Sequence, residues 1–294
     1  MKIDLKAGLL ALLLATIPTV ALSGCSTTAT QQTKSEQSVY DRVMKQGKIR
    51  CGYVLYTPGC IKDPNTGKLS GIGIETIELV GKNLGLEIEW AEEVGWGSMI
   101  EGLLTNRYDM IATPVWTNAN RARQVDFSKS LFYSPIFAYI KKGDKRFSAA
   151  NLEKLNSPDY AVATVDGETA EIIAREDFSQ AKKVSLPQLS DLSQLLLTVS
   201  TGKADYTFME PSSAAGFVAH NTNAVEILKT PKPVRVFPNC WMFKRGQMEF
   251  KNMIDTALDQ LVNSGVEEKI VHKYEAAPNS LYLDALPYHA PAAN

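Results

Sequence analysis

The chain has 294 residues, of which 45% are hydrophobic and 21% are charged, so it can form one large or two modest domains with real cores. Its 31 basic and 32 acidic residues leave a formal net charge of −1. The chain therefore lacks the basic excess of nucleic-acid-binding proteins, and we expect its binding specificity to come from a few well-placed groups.

The N-terminal segment is typical of an exported protein. Two lysines precede an apolar run over residues 7–22, which contains a proline and is too short to favour a membrane-spanning helix. The Leu-Ser-Gly-Cys sequence ending at Cys25 resembles a bacterial lipobox, whose cysteine is lipidated; the alternative is an ordinary signal peptide cut nearby. We predict a lipoprotein signal peptide over residues 1–25 and a polar tether over residues 26–44. This places the protein outside the cytoplasm, anchored by lipid to a bacterial membrane on its periplasmic side or at the cell surface.

Predicted strands and helices alternate in the first half of the remaining chain. In chain order we predict a strand over residues 48–56, a helix over 73–84, the strand LEIEW, a helix from about residue 99, and the strand DMIAT. The long run LFYSPIFAYIKK, residues 131–142, is predicted to be extended. This alternation favours an α/β fold with a mainly parallel sheet.

The alternation restarts after the polar segment GDKRFS. We predict the strands YAVATV, KKVSL and ADYTFM and helices from about residue 168, over about 190–201, and over 211–220. PVRVF and CWMFK are extended, two helices follow at about 248–263 and 266–274, and the tail over residues 277–294 is predicted to be irregular. The count suggests two similar α/β lobes, the last segments returning to the first lobe.

A series of motifs in this order resembles the family-3 bacterial extracellular solute-binding proteins, the polar-amino-acid receptors of ABC importers. The motifs are GKIRCGY, DPNTGKLSGIGIE, NLGLEIEW, WGSMIEGLLTNRYDMIA, NRARQVDFS, VDGETAE, GKADYTFME and NSGVEEKIVHKYE. The resemblance implies a type II periplasmic-binding-protein fold, with two lobes joined by two crossing strands and closing over a ligand. Lobe 1 would comprise residues 45–140 and 235–276, and lobe 2 residues 141–234.

The motif TNANRARQVDFS contains two arginines whose side chains point apart, because they are two residues apart. In the family, the arginine five residues before Asp-Phe-Ser holds the ligand α-carboxylate, and the resemblance assigns this role to Arg121. A guanidinium can meet a carboxylate with two parallel hydrogen bonds. Alternatively, Arg121 caps a helix or pairs with Asp126. Arg123 is expected to be solvated.

Lobe 2 is expected to contribute a turn at the start of a helix and one acidic residue. Gly167 would let the chain approach the ligand, and Thr169 matches a family hydroxyl that meets the carboxylate near a helix N-terminus. Glu168 stands where the family usually has Ser or Thr, and would repel a carboxylate unless it points outward or reads a cation. Glu210 matches the family aspartate that accepts hydrogen bonds from the ligand ammonium. Thr169 and Glu210 could instead serve only as helix-terminus residues.

Aromatic residues and one asparagine complete the predicted pocket. Tyr53 or Tyr56 corresponds to the ring over the ligand side chain, and Trp96 lies on a loop that enters a helix. Trp116 and Asn118 replace residues that are small or Thr in the family, and the tryptophan would narrow the pocket or stack on a flat or cationic group. Each of these aromatic residues could equally belong to the core.

Three cysteines remain after Cys25, which suggests one disulfide and one spare thiol in an exported protein. The sequence does not decide among the pairings; we favour Cys60–Cys240, with Cys51 buried in a strand. The three histidines, His220, His272 and His289, are too scattered for a metal site, so we predict no metal. The GIG sequence at residues 71–73 lacks the rest of a dinucleotide motif, and we predict packing there and no cofactor.

These features together predict a monomeric receptor that captures a small zwitterionic ligand, an amino acid or derivative, for an ABC permease in the membrane. We expect no catalytic residue and no nucleic-acid partner. Two alternatives remain open from the sequence: an enzyme similar to cyclohexadienyl dehydratases, with Glu210 as general acid, and a signalling or cell-wall module that has diverted its ligand role.

Overall fold

The structure is a computed structural model that describes residues 37–147, 149–187, 190–278 and 280–285. The signal peptide, Cys25, the first part of the tether and His289 lie outside the described residues. The tether prediction is wrong at its end, because residues 39–44 belong to helix α1, Val39–Gln46. The side chain of Ser38 caps this helix by accepting a hydrogen bond from the Asp41 N–H, and Val39 and Val43 bury its apolar face.

The first half of the chain forms alternating short strands and helices. In chain order these are β1 Lys48–Tyr53, β2 Ile61–Lys62, β3 Leu69–Ser70, α2 Ile72–Leu84, β4 Glu87–Glu93, α3 Met99–Leu104, β5 Met110–Trp116 and α4 Ala119–Ala122. Strand β1 lies between β4 and β5 and is parallel to both. Because β1 ends at Tyr53, the predicted strand over residues 48–56 is three residues too long at its end.

The second half begins with the long strand β6, Val125–Lys141. It is followed by a 3-10 helix Ala149–Leu155, β7 Ala161–Val165, α5 Thr169–Asp177, β8 Lys182–Leu186, α6 Ser193–Ser200, β9 Tyr206–Met209, α7 Pro211–His220 and β10 Val225–Ile227. The chain then returns through β11 Arg235–Lys244 to α8 Met248–Asn263 and α9 Val266–Tyr274. Both closing helices have the predicted bounds.

Two long strands connect the lobes. The strand order is β4-β1-β5-β11-β6-β9-β7-β8, with β10 added to β6. Strand β11 pairs antiparallel along its whole length with the first part of β6, from Val125 opposite Lys244 to Ile136 opposite Arg235. The outer strands on each side are parallel, as β-α-β connections require. The predicted two-lobed α/β fold with two crossing strands is confirmed.

The buried side chains form separate cores in the two lobes. One core contains residues from Ile136 to Leu228 and packs helices α5 and α6 against β7 and β9. Lobe 1 has a larger cluster around the fully buried Trp241 and a smaller one around Tyr108 and Met242. Each lobe therefore has its own apolar core, and the backbone that joins them is mainly β6 and β11.

The three described cysteines are buried free thiols, and the predicted Cys60–Cys240 disulfide is wrong. Cys60 lies in the loop after β1, beside Thr113 and near Glu93, whereas Cys240 lies in β11 near Asp284. Burial raises the pKa of Cys60 to about 11 and that of Cys240 to about 12. Protonated buried thiols of this kind are unreactive.

The described part of the tail, residues 277–278 and 280–285, is irregular as predicted, since it contains no helix or strand, but it packs against lobe 1. Tyr282 forms a bridge with Tyr133 of β6, and Leu281 is buried in the core of lobe 1. Asp284 accepts a hydrogen bond from Ser130 at 2.8 Å. Within the described ranges, no helix has the length and apolar character needed to cross a membrane.

Candidate ligand-binding site

Arg121 lies just beyond the end of β5, on the short helix α4. The side chain of Asn118 caps this helix by accepting a hydrogen bond from the Arg121 N–H at 2.8 Å. The guanidinium Nη1 of Arg121 donates to the carbonyl of Trp116 at 2.9 Å, so the side chain folds back over the strand end. Asp126, the alternative partner, accepts instead from the Gly246 N–H. Arg123 is exposed.

Arg121 is half-buried and interacts electrostatically with Glu168 of the other lobe. Burial lowers the pKa of Arg121, and the negative charge of Glu168 opposes this change. Burial likewise raises the pKa of Glu168, while Arg121 acts to lower it. Arg121 therefore faces lobe 2, as the family resemblance implies.

Glu168 occupies the position before the first turn of α5. Its backbone is extended there, with φ −96° and ψ 172°, but its side chain makes no capping hydrogen bond. Gly167 has a φ of 77°, which favours glycine, and its N–H donates to the Glu171 carboxylate at 2.8 Å. This N–H is already bound within the lobe. Thr169, the first residue of α5, lines the cleft.

Glu210 lies where β9 ends and α7 begins, followed by Pro211 in the first helical turn. Its side chain is 1% exposed. Oε1 accepts hydrogen bonds from the Ser213 hydroxyl at 2.7 Å and from the Tyr56 hydroxyl. Oε2 is buried and has no hydrogen-bond partner. Glu210 is thus held through Oε1, and the hydroxyls of Ser134 and Ser212 also lie close to its carboxylate.

The Tyr56–Glu210 hydrogen bond joins the two lobes directly. Burial raises the pKa of Glu210, although the hydroxyls of Ser134, Tyr56 and Ser213 favour the carboxylate. Burial and the adjacent Glu210 raise the pKa of Tyr56 well above its usual value. The Tyr56 hydroxyl and the Glu210 carboxylate are therefore hydrogen-bond partners within the cleft.

Aromatic rings surround this contact. The ring of Tyr56 meets Trp96 edge to face, with centroids 5.7 Å apart, and meets Trp116 at 6.5 Å. Trp116 stacks on Phe237 of β11 at 5.2 Å with an interplanar angle of 20°. Trp96 is 37% exposed and lies at the rim. Tyr53 is not part of this group, since it packs against Trp90 at 5.9 Å.

A cavity lies among these groups. Its lining includes Trp116, Glu168, Thr169 and Glu210, together with Ser213 and the apolar residues Ile136, Ala170, Leu192, Leu195, Phe208 and Met209. Its volume is about 40 Å³, room for roughly three water molecules at roughly 10–15 Å³ each. An amino acid is larger, so the lobes must separate to admit one.

Two buried polar atoms of residues that line the cavity, Trp116 Nε1 and Glu210 Oε2, lack a hydrogen-bond partner in the described structure. Asn239 Oδ1 in β11 and Ser212 Oγ, which lies close to the Glu210 carboxylate, are also buried without a partner. Burying such atoms without a partner costs free energy, so they mark where a polar ligand would contribute most. Phe237, Asn239 and Ser212 were absent from the sequence-based prediction; the two β11 residues carry no local motif, and only the strand crossing brings them here.

A second, larger depression of about 340 Å³ lies beside α8 and residues 284–285. It is lined by Lys129, Asp259 and Asp284, among others, and contains none of the predicted ligand-binding residues. We therefore place the candidate site at the smaller cavity, where the charged and aromatic groups of both lobes meet. No group of three or more His, Cys, Asp or Glu side chains in the described ranges could hold a metal ion.

The comparisons with known proteins agree with this geometry. The chain is 24% identical to the L-cystine-binding protein TcyA of Bacillus subtilis over 279 residues, 92% of this chain and 97% of that protein. It is also 24% identical to the "Probable histidine-binding protein" of Campylobacter jejuni over 258 residues, 87% of this chain and 96% of that protein. Both names describe proteins that bind an amino acid.

A solved structure with a similar fold is that of an ancestral amino acid-binding protein, a precursor of cyclohexadienyl dehydratase. It is 26% identical with a TM-score of 0.64, and the alignment covers 81% of this chain and 99% of that one. This confirms the type II periplasmic-binding-protein fold. The model of the family described as "Bacterial extracellular solute-binding proteins, family 3" matches residues 49–277 of this chain. The chain therefore belongs to family 3 of the bacterial extracellular solute-binding proteins.

Proposed function

We propose that this chain is a receptor lipoprotein that captures an amino acid or a derivative between its lobes and delivers it to an ABC importer. The observation that carries the proposal is that Arg121 of lobe 1 interacts with Glu168 of lobe 2, which lines one cavity together with Thr169 and Glu210. A guanidinium, a hydroxyl and a buried carboxylate are the groups needed to bind a carboxylate and an ammonium on one small molecule.

Each group has a proposed role. Arg121 binds the ligand carboxylate as a two-pronged donor, assisted by Thr169 and the N-terminus of α5. Glu210 accepts from the ligand ammonium through Oε2, while Oε1 stays bound to Tyr56 and Ser213. The Trp116 ring forms the wall against which the ligand side chain packs. Two charge-assisted contacts and one apolar wall are consistent with micromolar binding, about −8 kcal/mol.

Binding is proposed to couple to movement of the lobes. The cavity of about 40 Å³ is too small for an amino acid, and Tyr56 bridges the lobes at Glu210. The lobes therefore open to admit the ligand and close again around it, with β6 and β11 as the flexible connection. Lipidation at Cys25 would hold a monomeric receptor beside its membrane permease.

The proposal is tested by isothermal titration of a panel of amino acids into the wild-type protein and the variants Arg121→Gln and Arg123→Gln. We expect stoichiometric binding of at least one amino acid, weakened by about 10–100-fold in Arg121→Gln because a charged hydrogen-bond partner is lost. Arg123→Gln, which removes an exposed charge from the same segment, should bind like wild type.

Two results would contradict the proposal. One is equal affinity of wild type and Arg121→Gln for every ligand that binds. The other is chemical conversion of the ligand, for example an aromatic product from arogenate or prephenate, because we propose binding without turnover.

A further inference from the structure

The candidate cleft contains one more negative charge than a simple zwitterion can balance. Arg121 is the positive group, whereas Glu168 and Glu210 are both acidic and both line the cavity. Burial raises the pKa of both carboxyls, and an adjacent cation favours the ionised form of each. An ordinary zwitterion brings one positive and one negative charge, so with both carboxyls ionised the closed complex would keep one excess negative charge. An unbalanced charge in a desolvated site is costly.

We propose, on the basis of the function above, that Glu168 determines specificity by binding a second cationic group, and that the ligand is a dibasic amino acid. Such a ligand carries an α-carboxylate for Arg121, an α-ammonium for Glu210 and a side-chain ammonium or guanidinium for Glu168. The charges in the closed cleft then cancel.

The placement of Glu168 supports this role. It stands before α5 with an extended backbone, where a short side chain would normally cap the helix, yet its carboxylate makes no capping bond. Instead it lines the cavity and interacts electrostatically with Arg121 across the cleft. Because Glu168 has no capping task in its own helix, its carboxylate is free to bind a ligand.

Glu168 also acts against ligands without the extra cation. A bound carboxylate at Arg121 would lie near the Glu168 carboxylate, and the two anions would compete for one guanidinium. A cationic side chain removes this repulsion, whereas a neutral one leaves it in place. Discrimination therefore comes from repulsion of the wrong ligand as well as attraction of the right one.

The surroundings suit a cation. Trp116, stacked on Phe237, and the adjacent Tyr56 present aromatic surfaces that attract ammonium and guanidinium groups. Glu210 Oε2 is a buried acceptor of a residue that lines the cavity, and ammonium and guanidinium groups donate hydrogen bonds but cannot accept them. Acidic and aromatic groups around an apolar cavity are a combination suited to amines.

The experiment compares matched ligands by isothermal titration: arginine against citrulline and lysine against norleucine, with putrescine as a diamine that lacks the carboxylate. The proteins are wild type, Glu168→Gln and the control Glu153→Gln, which removes an exposed acid from the same lobe. We expect wild type to prefer the cationic member of a pair by at least about 10-fold. In Glu168→Gln this preference should shrink by about 10–100-fold, through weaker binding of the cation, tighter binding of its neutral partner, or both. Glu153→Gln should match wild type.

The outcomes separate the two proposals. If neutral ligands bind at least as well as cationic ones, or if Glu168→Gln keeps the wild-type preference, the dibasic assignment is wrong while an Arg121-dependent receptor still stands. If putrescine binds as tightly as lysine, the carboxylate is not recognised and the role of Arg121 fails. If no ligand of either panel binds, both proposals are overturned.

Discussion

Glu267 is a buried acid far from the candidate ligand, and it gives the fold a defined pH dependence. It is the second residue of α9, is 2% exposed and packs against α2. Its Oε2 lies 2.8 Å from the Thr76 hydroxyl, which also lies 2.7 Å from the Ile72 carbonyl. That hydroxyl has a single proton for two acceptors, the Ile72 carbonyl and Glu267 Oε2, so an ionised Glu267 would share its only hydrogen-bond donor with the carbonyl. The other oxygen, Oε1, has no hydrogen-bond partner. The folded protein therefore favours a neutral Glu267.

The size of the effect follows from the pKa. Burial raises the pKa of Glu267 to about 8 from an ordinary value of 4.5, and this difference corresponds to about 5 kcal/mol as an upper bound. The N-terminus of α9 favours the charged form by only about 0.3–1 kcal/mol. The folded state holds the proton more tightly than the unfolded chain does. The free energy of unfolding therefore falls as pH rises from 4.5 to about 8, and this contribution is constant outside that window.

The substitution Glu267→Gln removes the titrating group and keeps its shape. We expect urea denaturation to show Glu267→Gln gaining stability over wild type as pH rises from 5 to 8.5, by about 2 kcal/mol or more. Glu249→Gln, which changes an exposed acid that is likewise the second residue of its helix, should keep the wild-type pH profile. Parallel profiles for wild type and Glu267→Gln would show that the buried acid is ionised in the folded protein and that the reasoning is wrong.

Two further predictions concern lobe 1. A Cβ atom added at Gly73 would lie 2.2 Å from Pro114 and 2.5 Å from the Ala112 carbonyl, so Gly73→Ala should cost about 1–3 kcal/mol in thermal unfolding. Gly97→Ala, which meets nothing within 4 Å, is the control, and equal melting temperatures would contradict the close packing. Asp109 is 1% exposed and paired with two arginines, so Asp109→Asn should lower the unfolding free energy by about 3 kcal/mol. A loss below about 0.5 kcal/mol would show that these ion pairs do not stabilise the fold.

The predictions from sequence succeeded where the signal is local. Helices α8 and α9 follow from apolar residues at helical spacing, which reflects burial of one face along a continuous segment. The sequence predicts different roles for Arg121 and Arg123, because side chains two residues apart point in different directions. Arg123 is exposed, as predicted. For the GIG sequence at residues 71–73 the prediction is close packing and no cofactor site. Gly73 does pack closely against β5, where it leaves no room for a Cβ atom.

The errors concern contacts between distant segments. The prediction of a Cys60–Cys240 disulfide is wrong. The positions of the cysteines along the chain do not show which residues surround each thiol, because that depends on how β5, β6 and β11 pair. Tyr53 and Tyr56 could not be told apart, because the choice depends on β1 ending at Tyr53 and the chain then turning towards lobe 2. Phe237 reaches the cleft only through the return of β11.

Glu210, where the resemblance leads one to expect Asp, makes a long-range contact with Tyr56. These residues are 154 positions apart and belong to different lobes, so no local pattern links them. One carboxylate oxygen of Glu210 receives the Tyr56 and Ser213 hydroxyls, and the other is buried without a partner. In the proposed binding mode an ammonium would bind Oε2 while Oε1 keeps its hydrogen bond with Tyr56. Tyr56 orients the acid and connects the lobes, so the closed arrangement and the proposed ammonium site depend on the same pair of side chains.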